Sequence, residues 1–179
     1  MTNVLVLRFS SMGDVAMTVP VLRCLVKKYP DSKITIVSKG IYRPIFIEFG
    51  NIHFFELDLQ GRHKGFKGLF SLFKELKKLQ PTHIADLHSV LRSNVLYFLF
   101  KMNFFKIKRL NKQRGERKKL FRSKNKIFKP LTPSQFRYCE VFNRLGFNLD
   151  LTSHEFPDPL NIETETQLKI NQLPSNMKW

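Results

Sequence analysis

Cysteine is scarce: only Cys24 and Cys139 occur in 179 residues. They lie far apart, each inside a helical pattern, so the chain has no disulfide framework and a reducing compartment is expected. No zinc spacing, P-loop or G-x-G-x-x-G occurs, and no Ser-His-Asp or Cys-His arrangement stands out. Long hydrophobic runs are missing as well. The longest apolar stretch, Val95 to Phe100, falls far short of the ~20 residues that span a bilayer. Met1 to Asn3 carries no basic n-region and Val4 to Leu7 is too short for a secretory h-region. The expectation is a cytoplasmic chain, soluble or peripheral on a membrane. Acids are few, 14 against 31 Lys and Arg, for a net charge of +17. Such an excess calls for an anionic partner: nucleic acid, an acidic membrane, or a phosphorylated or carboxylated substrate. Nucleic acid has charge alone in its favour, because no helix-turn-helix spacing, zinc finger or RNA-recognition aromatic motif accompanies it.

Hydrophobic residues make up 42% of the chain, enough for one domain with a core. Short apolar runs alternate with amphipathic stretches. Strands are expected at Val4–Leu7, Lys33–Ser38, Ile52–Leu57, Thr82–Leu87 and Phe104–Leu110. Between them lie a first helix, with Val15, Val19, Leu22, Val26 and Tyr29 on one face and Pro20 as a kink or restart, and a short helix within Ile41–Phe49. Further helices are expected at Leu69–Leu79, Val90–Lys101 and Ser134–Leu145, the last stopped by Gly146. This βα spacing predicts a doubly wound parallel α/β sheet with right-handed crossovers. Residues 1–150 read as the domain, with a basic loop at about 110–130, and residues 151–179 as a polar, Pro-containing linker leading elsewhere.

The chain is organised around Val4 to Pro20. A buried strand is followed by the polar turn Ser10-Ser11-Met12-Gly13-Asp14 and then by a helix. Ligands of open α/β sheets sit at such turns, beyond the carboxyl ends of the strands. The main-chain amides of Met12 and Gly13 suit a phosphate, since helix N-termini attract anions. Asp14 has the wrong charge for that task. It is either a first-turn acid supporting the helix, worth about 0.3–1 kcal/mol, or a carboxylate that takes a proton from a substrate hydroxyl. The second role requires Asp14 to face a crevice, neither sealed in packing nor paired off with a cation.

Three more constellations stand out. Gly61-Arg62-His63-Lys64-Gly65 follows the third strand; Arg62 and Lys64 are either carboxylate or phosphate ligands or an ordinary exposed basic loop. His63 reads as a solvated loop residue. Asp86 to Ser93 follows the fourth strand. Here Asp86 either caps the next helix or orients Arg92, and His88 is either structural or a partner for a sugar hydroxyl. Arg92, one turn into the helix, reads as facing the same crevice. Finally, Lys101 to Lys129 holds thirteen basic residues against the single acid Glu116. The run is either a solvated loop or an anion site, and Phe121 and Phe128 among its lysines leave a membrane role open.

The string RFSSMGDVAMTVPVLRCLVKKYP (residues 8–30) resembles the N-terminal signature of glycosyltransferase family 9, the ADP-heptose:lipopolysaccharide heptosyltransferases. The Asp86 to Ser93 segment resembles the second recognisable segment of that family. The resemblance implies a Rossmann-like sheet forming the N-terminal, acceptor-binding domain of a GT-B type enzyme, with the donor-binding half absent from this sequence. It implies inverting transfer of heptose from ADP-heptose to an acidic, lipid A-type acceptor. Asp14 is then the general base, and Ser10, Ser11, Met12, Gly13, Arg62, Lys64, His88 and Arg92 line the substrates. Arg114 and Arg117 stand where the family places arginines near acceptor phosphates. No metal or cofactor is implied, and an anionic inner-membrane surface and a donor domain in cis or trans are the other partners.

Overall fold

A computed structural model describes residues 2–116 and 130–154. Five strands form one parallel sheet: β1 (Asn3–Leu7), β2 (Lys33–Ser38), β3 (Ile52–Glu56), β4 (His83–Asp86) and β5 (Lys106–Arg109). Their order is β3-β2-β1-β4-β5, so the chain builds outward from β1 in one direction, then returns to build in the other. The switch point lies between β1 and β4, where Leu7 is in register with Asp86. In such sheets the crevice beyond the strand ends at the switch point is where ligands bind.

The doubly wound arrangement is as expected. Side chains alternate along each strand, so Val4 and Val6 face one helical layer and Leu5 and Leu7 the other. The first layer holds α1 (Met12–Ala16), α2 (Val19–Lys28), a 3-10 helix (Gly40–Phe46) and α5 (Ser134–Leu145). The second holds α3 (Gly65–Lys78) and α4 (Leu91–Met102). Both cysteines are buried and free in the first layer.

Of the two readings of Pro20, kink or restart, the structure shows the restart. α1 ends at Ala16, and Pro20 sits in the first turn of α2, where a missing amide leaves no hydrogen bond unmade. β5 starts two residues later than expected, because Phe104 adopts a left-handed backbone (φ 60°) that ends the strand pattern. Gly146 closes α5 in the left-handed conformation (φ 105°), as its type allows. The linker expected from residue 151 starts as a 3-10 turn, Leu151–Ser153, with Asp150 accepting from the Thr152 amide at 2.9 Å. Leu151 packs on the core and His154 lies 3.2 Å from the Arg23 guanidinium. Residues 155–179 lie outside the described residues.

α3 begins one turn earlier than the apolar pattern predicts. The cause is Gly68, whose missing Cβ would stand 2.3 Å from the His63 carbonyl carbon. That close approach folds the loop before α3 back onto the helix. Gly68→Ala should therefore lower stability by about 1–3 kcal/mol, read as a lower urea midpoint with unchanged slope.

Candidate active site

The mouth of the switch point is built from the ends of β1 and β4. Alternation carries on past Leu7. Arg8 therefore turns into the α5 layer, its guanidinium carbon 5.6 Å from the centre of the Tyr138 ring, while Phe9 turns the other way and meets the His88 ring at 5.0 Å. Arg8 is only 4% exposed. One of its nitrogens donates to the Leu87 carbonyl at 2.5 Å and another pairs with Asp14 Oδ2. Its Nε is buried without a partner among the described residues. A buried guanidinium is tolerated only where partners replace its water, and Asp14 is that partner.

Asp14 lies in α1 with its side chain 43% exposed. Ser11 Oγ donates to Oδ2 at 3.2 Å, and the Tyr138 hydroxyl reaches the Asp14 carbonyl at 3.4 Å. Asp14 is thus not sealed in packing, but its Oδ2 is paired with a cation, so the condition set from sequence fails at Oδ2 and can be met only at Oδ1. The pairing has a physical reason: Arg8 is forced inward by strand alternation and needs an anion. Both contacts use Oδ2, leaving Oδ1 without a protein partner among the described residues. Ser11, Met12 and Gly13 are exposed beside it and Ser10 half-buried. No packing demands a glycine at Gly13, since a Cβ there meets nothing within 4 Å. The Ser10–Ser11 peptide is cis.

Asp86 is fully buried at the end of β4. Its carboxylate accepts from the amides of His88 (3.0 Å) and Ser89 (2.9 Å) and from Ser93 Oγ (3.2 Å). These bonds hold Ser89 in a left-handed turn (φ 48°) and tie it to the first turn of α4. Asp86 therefore shapes the turn before the helix, and none of its hydrogen bonds goes to Arg92. Burial raises its pKa, and the three hydrogen bonds oppose the rise. His88 is 8% exposed, with Nδ1 unpartnered among the described residues. Burial, then the charges of Arg8 and Lys112, lower its pKa to about 4. Nδ1 is sealed from solvent, so only Nε2 of the neutral imidazole is left to meet a hydroxyl. Arg92 is exposed at the start of α4, close enough for its charge to act on His88.

Beside this mouth, between α4, the end of β5 and α5, lies a cavity of about 620 Å³. Ser89, Asn94 and Asn111 line it with four cations, Arg109, Lys112, Arg114 and Arg144, and no acid. Burial, then the nearby Arg8 and Arg114 charges, lower the Lys112 pKa, with Asp86 and Asp14 opposing; of the four cations Arg144 also pairs with Glu140 at 3.8 Å. Asn94 Oδ1 is buried and unpartnered among the described residues. The position fits anion binding.

Of the residues singled out from sequence, the turn at Ser10 to Asp14, His88, Arg92 and Arg114 gather at the β1, β4 and β5 ends. Arg62 and Lys64 do not join them: their loop follows β3, the far edge strand. Arg62 is taken up by Glu75 at 3.7 Å and the Glu56 carbonyl at 3.2 Å, and Lys64 is exposed before α3. His63 is not solvated but fully buried; its Nδ1 accepts from the Asp58 amide at 3.0 Å and its Nε2 faces Glu75 at 3.3 Å. It locks this loop to α3. Arg117, Phe121, Phe128 and the rest of residues 117–129 of the basic run lie outside the described residues. Sequence reasoning missed Arg8 and Tyr138. An arginine continuing the inward-facing parity of a buried strand was the available signal for the first. It counted Arg109 and Lys112 in the basic run without assigning them.

No family model matches the chain, and no curated protein does. Its fold matches solved structures. A family 9 glycosyltransferase from Veillonella parvula DSM 2008 superposes over 95% of this chain and 48% of its own, with TM-score 0.63 and 24% identity. The E. coli heptosyltransferase WaaC, solved with ADP-2-deoxy-2-fluoro heptose, covers 98% of this chain and 56% of its own, with TM-score 0.55 and 17% identity. WaaC solved with ADP gives a TM-score of 0.56 at 16% identity, over 96% of this chain and 54% of its own. At such identities the likeness speaks for architecture: the chain has the α/β fold of these GT-B glycosyltransferases and spans about half of their length.

Proposed function

We propose that the chain is the acceptor-binding half of an inverting glycosyltransferase of lipopolysaccharide core biosynthesis, moving heptose from ADP-heptose to an acidic acceptor sugar. The observation that carries this reading is Asp14, a half-exposed carboxylate held at the switch point by a buried arginine, with one oxygen unclaimed. The acceptor hydroxyl attacks the anomeric carbon of the donor sugar. A carbon–oxygen bond forms as the bond to the diphosphate breaks, and the hydroxyl proton passes to Asp14 Oδ1. Arg8 and Ser11 fix the carboxylate's orientation through Oδ2. His88 accepts from a neighbouring hydroxyl of the acceptor, and Ser10, Ser11 and the amides of Met12 and Gly13 border the reacting centre. Arg92 and the cations of the adjoining cavity hold the acceptor's carboxylate and phosphate groups. The departing diphosphate is met by protein charge, without a metal.

The chain spans about half the length of the solved glycosyltransferases it matches, and acceptor binding is the part of the reaction assigned to it. Such an enzyme works in the cytoplasm, against the inner membrane where its lipid acceptor lies. Calorimetric titration of the chain with a phosphorylated, carboxylated core sugar on a lipid A-type anchor tests the reading. Saturable binding is expected, weakening as salt rises. The double variant Arg109→Gln, Lys112→Gln should weaken it about 10–100-fold, the range for losing charged hydrogen bonds. An acceptor that fails to bind, or binds both proteins equally, sinks the proposal.

A further inference from the structure

α4 is apolar on more than the side it buries. Ser93, Leu96 and Phe100 point into the core. On the outer side Leu91, Phe98 and Met102 recur at offsets of seven and eleven residues, a single stripe along the helix. Leu91 is 76% exposed, Phe98 62% and Met102 63%, and Phe104, just past the helix end, is 96% exposed. An apolar face of this kind on a surface helix marks a contact with something outside the domain. A left-handed backbone, unfavourable for a bulky residue, holds Phe104 in its exposed turn.

The surrounding charge is of one sign. Between Leu87 and Gly115 the sequence has no Asp or Glu and seven Lys or Arg. Lys101 is exposed near the end of α4, and Arg109 from β5 lies over the ring of Tyr97 in α4 at 5.0 Å. α3 packs beside α4 through the Phe73–Phe100 ring pair at 4.9 Å. It adds Lys74 and Lys77, which lie over the rings of Phe70 and Phe73 at 4.8 and 5.9 Å. Its lone acid, Glu75, is engaged with His63 and Arg62. No helix among the described residues is long and apolar enough to cross a membrane.

We propose that the outer face of α4, with Phe104 at its end, seats the protein on an anionic lipid bilayer. The helix lies in the interface plane, Phe98, Met102 and Phe104 enter the boundary between headgroups and acyl chains, and the flanking lysines meet lipid phosphates. A second copy is the poorer occupant, because it would set one basic face against another. This surface lies outside the acceptor cavity and does not depend on the catalytic reading.

Flotation of the full chain with vesicles tests it. Binding is expected to phosphatidylcholine vesicles containing phosphatidylglycerol, falling as salt rises, and not to phosphatidylcholine alone. Phe98→Ser with Phe104→Ser should lower partitioning about tenfold or more while circular dichroism stays unchanged. Should the double variant misfold, Phe104→Ser alone carries the test, since that side chain is almost wholly exposed. Three results would overturn the proposal: no binding to anionic vesicles, equal binding by wild type and variant, or wild-type dimers in sedimentation that the variant lacks.

Discussion

Asp14→Asn should lower transfer turnover about 10²–10⁴-fold in an enzyme completed by its donor half, with acceptor affinity changed far less. Asn keeps the shape of Asp and can still meet Ser11, but it cannot take a proton. The ion pair with Arg8 gives Asp14 a structural task too, and the two roles separate experimentally. Arg8 is buried with a 2.5 Å bond to the Leu87 carbonyl, so removing its anion leaves an uncompensated charge in the core. A purely structural Asp14 would show itself as a lower melting point in the variant, with turnover recovering when the protein is assayed well below that temperature. A proton acceptor would show itself as turnover that stays low at every temperature. Full turnover in a folded Asp14→Asn protein rules the role out. The converse variant, Arg8→Met, keeps the carboxylate but frees it to rotate. It should depress turnover less than Asp14→Asn does, because positioning is lost and the proton acceptor is not.

The fold was legible because its signals are local and repeated. Val4 to Leu7, Lys33 to Ser38 and Thr82 to Leu87 read as strands from β-branched and apolar runs, and their spacing by helical patterns implies parallel pairing. The polar turn after β1 was legible as a ligand site for the same reason: its position in a βα unit places it at a strand's carboxyl end. What was not legible depends on which strands end up adjacent. β3 carries a basic loop with every sequence hallmark of a ligand loop, yet it becomes an edge strand, and its Arg62 is consumed by Glu75 from the helix that follows. His63 looks solvated because its neighbours are Gly, Arg and Lys, but Gly68 lets the loop press against α3 and buries the ring. The Arg8–Asp14 pair was hidden for another reason. Its partners are six positions apart, too far to touch along a strand and off the helix repeat; only the break between β1 and α1 brings them together. The basic cavity draws on α4, the β5 end and α5, so no single window of sequence contains it.

Folding stability should rise by about 3 kcal/mol between pH 4 and 6.5 through His88 alone, the size of a shift from 6.5 to about 4. The sign follows from proton counting. Below pH 4 the ring is protonated in both states. Between about 4 and 6.5 the unfolded chain holds a proton that the folded chain has released, so raising the pH favours folding. Above 6.5 both are neutral and the gain is complete. Asp86 works in the opposite direction: its raised pKa means the folded chain keeps a proton above 3.8 that the unfolded chain has lost, so stability falls as pH rises through that window. Wild type therefore shows a muted profile, and variants expose the two halves. His88→Leu, which suits the Phe9 contact, should gain on wild type by about 3 kcal/mol as pH falls from 7 to 4. Asp86→Asn should leave the rising limb unopposed. Urea unfolding at each pH measures both, and parallel curves for wild type and His88→Leu would show that the ring does not titrate as its surroundings require. The same chemistry governs the site. The neutral ring that folding demands is the form that can accept a hydroxyl at a ring nitrogen, and protonation would add a fourth positive charge beside Arg8, Lys112 and Arg92. Acceptor binding through His88 is therefore confined to the pH range in which the ring is neutral, and it should weaken below about pH 4 as the imidazole gains its proton.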